Sequence, residues 1–304
     1  MNYLSYFWQN PGALAASVLA RLGKSLSDEH YVKLMYLISC GKLINLKKPR
    51  LFTEKLQWIK LYYHDPLYTK LVDKYEVKKY VADKIGEQYV VPLYGVWDRF
   101  EDIDFDSLPN QFVLKTTHSS GGFAICKDKG SFDIQVAKER INRSLNHSYY
   151  LGTREWPYKN VKPRIIAEKY MPSVGNADSE EYKLTCINGE VKVFTVCRGI
   201  PHDSLNKRFN DHFGRDFKRQ NWYAYYQSSK QEVKRPEKFD EMIEIAEKLS
   251  ASIPHVRVDL YVVDGQVYFG EMTFFTWAGF IRFNPKKQDE IMGEWLTLPD
   301  HKIL

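Results

Sequence analysis

The chain has 304 residues, 44% hydrophobic and 15% aromatic, with a formal net charge of +6. That composition excludes a disordered chain and suits a buried core spread over one functional unit of two or three lobes. The modest positive charge favours anionic partners such as nucleotide phosphates, acidic sugars or lipid head groups, without choosing among them.

Cys40, Cys126, Cys186 and Cys197 are scattered, with no CxxC and no histidine at metal-knuckle spacing. They read as reduced thiols of a cytoplasmic protein. The apolar stretch 12–22 is too short to span a bilayer and has no basic segment before it, so it reads neither as a membrane span nor as a secretion signal. Tyr3, Leu4, Tyr6, Phe7 and Trp8 precede it and Arg21 and Lys24 follow. An interfacial helix at the inner face of the membrane fits that pattern, and docking on another protein of a biosynthetic complex fits it better.

Residues 1–88 read as helical. Ser27-Asp28 caps one segment, Thr53-Glu54 opens another, and a third runs over 66–85 and stops at Gly86. The pattern then changes to short β-rich runs at 90–97, 112–116 and 123–127, a helix over 133–145 and a strand over 164–170. Two hairpins turning at Asn188-Gly189 and Asp264-Gly265 follow, with a polar, aromatic-rich insert over 202–231 and a helix over 237–249 between them. Strands that return after single helices predict an α+β fold, with an 89–170 lobe and a 171–304 lobe.

Four constellations carry chemistry. Strand 112–116 ends in Lys115 and runs into Ser119-Ser120-Gly121-Gly122, a loop whose N–H groups can close over phosphates while the lysine supplies charge. An ordinary turn beside a surface lysine fits that segment equally well. Next, the apolar strand Ile165-Ile166-Ala167 stops at Glu168-Lys169-Tyr170-Met171; taken alone this is first of all a plain strand end, and it also exposes backbone as an adenine-binding hinge requires. Alternation places Glu181 and Lys183 on one strand face, where a carboxylate can take ribose hydroxyls and an ammonium can reach phosphate; a surface ion pair is the plain alternative. Finally, Arg257-Val258-Asp259 and Gly270-Glu271-Met272-Thr273 set two carboxylates on adjacent apolar strands, a hard-oxygen site suited to magnesium, with Arg257 aimed at a developing oxyanion.

Lys74 in Asp73-Lys74-Tyr75, strand Lys115, the hinge, Glu181, Lys183 and the Arg-x-Asp…Glu pair occur in the order seen in ATP-grasp ligases. More narrowly, the chain resembles the TupA-like ATP-grasp family, linked to teichuronopeptide and other cell-surface polysaccharides. That likeness rests on Lys48-Pro49-Arg50-Leu51-Phe52-Thr53-Glu54-Lys55-Leu56-Gln57-Trp58, on Val91-Pro92-Leu93-Tyr94-Gly95-Val96-Trp97, and on Leu108-Pro109-Asn110-Gln111-Phe112-Val113-Leu114-Lys115. It covers roughly residues 30–280.

The resemblance implies an ATP-grasp fold, two β-rich lobes clamping ATP with magnesium. Lys74 and Lys115 then hold phosphates under the loop of Ser119, Ser120, Gly121 and Gly122. The hinge of Glu168, Lys169, Tyr170 and Met171 reads adenine through backbone at Lys169 and Met171, and Glu181 and Lys183 serve ribose and phosphate. Asp259, Glu271 and Thr273 hold magnesium, and Arg257 the acyl phosphate. Thr273 stands where the superfamily usually has Asn, and 274–279 lacks the expected Pro- or Ser-containing turn.

The implied reaction is ATP-dependent carboxylate–amine ligation, joining an amine or amino acid to an acidic glycan or its precursor. Lys207, Arg208, Phe209, His212, Phe213, Arg215, Phe217, Lys218 and Arg219 offer a basic aromatic surface for that glycan, and a solvated loop fits them equally well. A kinase acting on a sugar hydroxyl is the rival reading. A nucleic-acid module is disfavoured, because helical charges alternate in sign and form no basic stripe. Counting adds one geometric demand. Asp259 and Glu271 share a face only if the hairpin has a three-residue Asp264-Gly265-Gln266 loop with Gly265 at positive φ, or a bulge elsewhere.

Overall fold

The computed structural model describes residues 11–171, 180–199 and 208–304. The aromatic run from Tyr3 to Trp8 and Lys207 of the insert lie outside the described residues. The element order is α+β. Helices α1 (Pro11–Leu22), α2 (Asp28–Cys40), α3 (Phe52–Tyr62), α4 (Leu67–Val72) and α5 (Glu76–Ile85) lead into β1 (Leu93–Trp97), β2 (Phe112–Thr116) and β3 (Phe123–Cys126). Helices α6 (Ile134–Leu145) and α7 (Tyr149–Thr153) precede β4 (Ile165–Lys169). Then come β5 (Glu180–Ile187), β6 (Glu190–Arg198), β7 (Phe209–Phe213), β8 (Tyr223–Ala224), α8 (Phe239–Ser250), β9 (His255–Val263), β10 (Gln266–Thr273), β11 (Phe283–Asn284) and α9 (Lys287–Trp295).

The strands form a four-stranded sheet, β1-β4-β2-β3, a five-stranded sheet, β10-β9-β5-β6-β7, and a small β11-β8 pair, antiparallel throughout. Period-two alternation makes the faces of both large sheets. Phe112 and Leu114 of β2 point into a core with Phe100, Ile141 and Ala167. Val258 and Leu260 of β9 join Leu184, Phe194, Phe239 and Met242 in a larger one. Each such fully buried side chain contributes about 1.5–3 kcal/mol.

Helices α3 to α5 do not form a core of their own. Phe52, Leu56, Tyr68, Leu71 and Val81 belong to the core of the five-stranded sheet. Only α1 and α2 build a separate cluster, around Tyr31, Met35, Tyr36 and Phe280. The quoted segment at the start of α3 is structural. Glu54, at the third position of the helix, accepts the backbone N–H groups of Asn45, Arg50 and Leu51 at 3.2, 2.9 and 3.2 Å, satisfying donors a helix start leaves open.

The single helix expected over 66–85 is two helices. Asp73 Oδ1 accepts from the N–H groups of Tyr75 and Glu76 at 2.8 and 3.3 Å, so the side chain caps α5 instead of extending α4. The break frees the Lys74 backbone N–H to donate to Thr117 O at 3.1 Å, which joins this corner to the end of β2.

Candidate active site

Strand pairing concentrates charge on one face of each sheet. In the four-stranded sheet Val113 lies opposite Glu168 and Lys115 opposite Ile166, so Lys115 and Glu168 share a face. Lys115 Nζ sits 2.6 Å from Glu168 Oε2, and Lys78 Nζ of α5 2.6 Å from Oε1. Lys78 also donates to Val91 O at 3.0 Å. Burial opposes ionisation of Glu168, but Lys115 and Lys78 outweigh it and hold the carboxyl at about 2. Lys78 was not singled out from the sequence, although it lies four residues after Lys74.

The 119–122 loop divides into an anchor and a cover. Ser119 is buried, and its hydroxyl joins those of Thr116 and Ser144 at 2.8 and 2.6 Å, so it fastens the loop instead of facing a ligand. Gly122 is required there, because a Cβ would meet Ser144 Oγ at 2.0 Å and Thr116 Oγ1 at 2.3 Å. Ser120 and Gly121 are exposed, which leaves them as the part able to close over phosphates. Lys74 Nζ donates to Ser119 O at 2.9 Å from below. Burial draws the Lys74 ammonium down, Glu271 raises it, Lys115 lowers it and Glu168 raises it again. Lys74 thus lies within reach of both sheets.

At the hinge, Lys169 N–H donates to Pro92 O at 3.0 Å. That donor is spent on chain pairing, which leaves the Lys169 carbonyl as the backbone group there for an adenine. Met171 is buried with Val91 and Val263, next to Tyr261 and Tyr268, an apolar seat between the two sheets.

The five-stranded sheet supplies the rest. Glu181 pairs with Tyr261, Lys183 with Asp259, Glu271 with Asp259, and Thr273 with Arg257. Alternation therefore places Arg257, Asp259, Tyr261, Glu181, Lys183, Glu271 and Thr273 on one face. The hairpin achieves this by the second of the two routes counted above. Val263 pairs with Gln266 across a two-residue turn with Asp264 and Gly265 at φ 51° and 75°, so the three-residue loop is corrected. The register shifts between Phe269 and Glu271 instead, with Gly270 as the extra residue. A Cβ on Gly270 would meet Tyr261 Cε2 at 2.6 Å and Asp259 O at 3.0 Å.

Arg257 organises the face. Its Nε and Nη2 donate to the two Asp259 oxygens at 2.6 and 2.7 Å, a bidentate pair, and Nη2 reaches Thr273 Oγ1 at 3.1 Å and Glu271 Oε1 at 3.5 Å. Its Nη1 donates to Thr276 Oγ1 at 3.3 Å. Lys183 Nζ takes Asp259 Oδ2 at 2.5 Å. Burial opposes the charge on Asp259, yet Arg257 and Lys183 hold the carboxyl below the usual range. Burial likewise pushes the Tyr261 phenol well up, helped by the charges of Glu181, Glu271, Asp259 and Glu168.

For magnesium, the donor chemistry fits: two carboxylates and a hydroxyl on one face. Asp259 is committed to Arg257 and Lys183, while Glu271 is half-exposed and touches only Arg257 and Thr273 among the described residues. Glu271 is therefore the carboxylate open to a cation.

The insert is not a free basic surface. Arg208 is buried and donates to Glu181 at 2.8 Å, which also commits the carboxylate assigned to ribose. Arg215 pairs with Glu247, Lys218 with Asp216 and Arg219 with buried Asp211. His212 stacks on Trp222 at 3.8 Å and Phe213 on Phe217 at 4.2 Å. Phe209–Phe213 is strand β7 and extends the sheet.

An α+β protein with lysines on one face of its four-stranded sheet and an Arg–Asp–Glu row on one face of its five-stranded sheet is what these contacts define. The chain belongs to the TupA-like ATP-grasp family, whose model matches residues 54–297, and so to the ATP-grasp ligase superfamily. Solved structures similar to it include D-alanine–D-alanine ligase of Bacillus anthracis complexed with ATP (17% identity, TM-score 0.39), covering 67% of this chain and 55% of that one. L-amino acid ligase of Bacillus licheniformis is 13% identical at TM-score 0.40, with 88% and 55% covered. A RimK domain ATP-grasp protein of Sphaerobacter thermophilus is 10% identical at TM-score 0.41, with 82% and 72% covered. The match thus spans little more than half of the first two. No curated protein matches the chain.

Proposed function

We propose that the chain is an ATP-dependent carboxylate–amine ligase, forming an amide through an acyl phosphate on an acidic cell-surface polysaccharide or its precursor. The observation that carries this reading is Arg257, fixed by Asp259 and reaching Glu271 and Thr273, on a face opposed by Lys74 and Lys115. A guanidinium held in place before reaction stabilises charge that develops on a carboxylate oxygen without having to reorganise.

ATP in this reading lies with adenine against Met171, Val91 and Tyr261. Its phosphates lie beneath Ser120 and Gly121, next to Lys74 and Lys115. Glu271, with Thr273, would hold magnesium, which when bound neutralises phosphate charge. Lys183 keeps Asp259 ionised so that Arg257 stays oriented. Little covalent chemistry is asked of the protein; positioning and charge carry the step.

The substrates are an amine or amino acid and an acidic glycan, and the setting is cytoplasmic, in keeping with four unpaired thiols. Among the described residues no helix is long and apolar enough to cross a membrane. Exposed Val18, Leu22, Leu34 and Leu37 on α1 and α2 support a contact there with a membrane face or a biosynthetic complex. The test is an ADP-release screen of amino acids against uronic-acid glycans. ADP with inorganic phosphate supports the ligase, and ADP with a phosphoester establishes a kinase instead.

A further inference from the structure

Sequence reasoning passed over residues 149–160, which have no usable periodicity. Arg154 there takes a left-handed backbone, φ 56°, and its guanidinium is buried, donating to Gly23 O at 2.7 Å and lying 4.6 Å from the Tyr31 ring centre. That turn sends the next side chain, Glu155, inward, where it is 2% exposed. Its Oε1 has no hydrogen-bond partner among the described residues.

A buried carboxylate oxygen without a partner is costly, and a structural role does not explain it. The nearest cation, Lys60, spends its ammonium on Thr153 O and Ala278 O at 3.2 and 2.5 Å and makes no ion pair with Glu155. The other neighbours belong to the site. The same lysine ties this turn to the site, because Ala278 lies two residues beyond Thr276, whose hydroxyl accepts from Arg257 Nη1, and the charges of Glu271 and Arg257 act on the Glu155 carboxyl. Tyr158 feels Glu155, Glu271, Tyr149 and Arg257 together. The Tyr149 and Tyr158 rings meet edge to face at 4.7 Å and are only half-buried.

We propose that Glu155 receives the incoming amine, its Oε1 accepting the nucleophile's N–H while Tyr149 and Tyr158 enclose the carbon that bears it. The proposal rests on the amide-ligase reading and adds the seat of its nucleophile. As the nitrogen lone pair forms the C–N bond, the bond from the acyl carbon to the phosphate oxygen breaks and its electrons leave with inorganic phosphate. The amine arrives as an ammonium: Glu155 takes its first proton and passes it to water, which frees that lone pair, and the second proton leaves the nitrogen with the departing phosphate as the amide forms. Burial foremost, with Glu271 beside it, raises the carboxyl to about 7 against the pull of Lys60 and Tyr149, a value suited to exchanging protons with an amine near neutrality.

The test compares the full chain with Glu155→Gln, using galacturonate oligomers, ATP and magnesium with either an amino-acid mixture or hydroxylamine, a nucleophile already neutral at that pH. The expected result is an amino-acid-dependent ADP release reduced about a hundredfold or more, with a raised amine KM and hydroxylamine-dependent release within a few-fold of the parent. The melting-temperature rise with magnesium-ATP should be the same in both proteins, which shows that the variant folds and holds nucleotide. Equal losses with both nucleophiles, or no loss with either, overturn the role of Glu155. A parent inert with both overturns the ligase reading itself.

Discussion

Glu168 and the buried histidines show how single side chains set what this protein tolerates. Glu168 has an ammonium on each oxygen, and only one of them, Lys115, reaches toward solvent. Lys115→Ala therefore leaves Lys78 to neutralise the carboxylate and costs about 0–1 kcal/mol, the range of an exposed pair. ADP release should fall about a hundredfold or more, since a phosphate-facing charge is gone. Melting temperature and turnover, measured together, should separate; a variant turning over like the parent removes Lys115 from the site. Glu168→Ala strands two lysines and should cost about 3 kcal/mol or more in urea unfolding.

Acid sensitivity follows from burial too. His212 is pushed to about 3 and His255 to about 4, burial being the main cause for both, and burial also lowers His118. These rings are neutral when folded and gain protons on unfolding once the pH drops below about 6.5, so stability falls with acidification through that window. Glu155, raised to about 7, works in the opposite direction there, one group against three. Melting temperature should drop from pH about 6.5 to about 5, and more steeply in Glu155→Gln. A flat profile contradicts this assignment.

The hairpin of β9 and β10 shows where the sequence was readable and where it was not. A shared magnesium requires Asp259 and Glu271 on one face, counting shows that a two-residue turn needs a bulge to put them there, and the hairpin has that bulge. Which residue supplies the extra count depends on Tyr261 and Asp259 O crowding Gly270, a contact between strands that no local pattern records. Gly270→Ala should cost about 1–3 kcal/mol through overpacking and should weaken magnesium-ATP stabilisation more than its melting point alone explains. Full nucleotide stabilisation in that variant would show that the bulge does not set the site. Similarly, 66–85 reads as one amphipathic helix because Asp73 is ordinary on a helix surface; its capping of α5 appears only once the chain has turned to meet Thr117. The insert misled for the converse reason. Its arginines are numerous, but Asp211, Glu181 and Glu247, distant or unremarkable in sequence, neutralise them in the fold.

At the scale of the whole molecule, the two large antiparallel sheets each carry one charged face, and Lys74 and Tyr261 feel carboxylates of both. Strand periodicity was enough to foresee both sheets and most of the charged row. Glu155, Lys78 and the docking of α1 and α2 onto residues 150–154 depend on tertiary contacts and left no such trace. We propose that these charges hold magnesium-ATP, with Glu271 as the open metal ligand. The most direct test is the melting temperature of the parent and of Glu271→Gln, each with ATP plus magnesium and with ATP plus a chelator. Ligand at about 100 times its Kd stabilises by about 2.7 kcal/mol, several degrees for a chain of this size. That shift is expected in the parent with magnesium, little of it with chelator, and most of it is lost in Glu271→Gln. Equal shifts in both proteins, or none in the parent, would contradict the proposal.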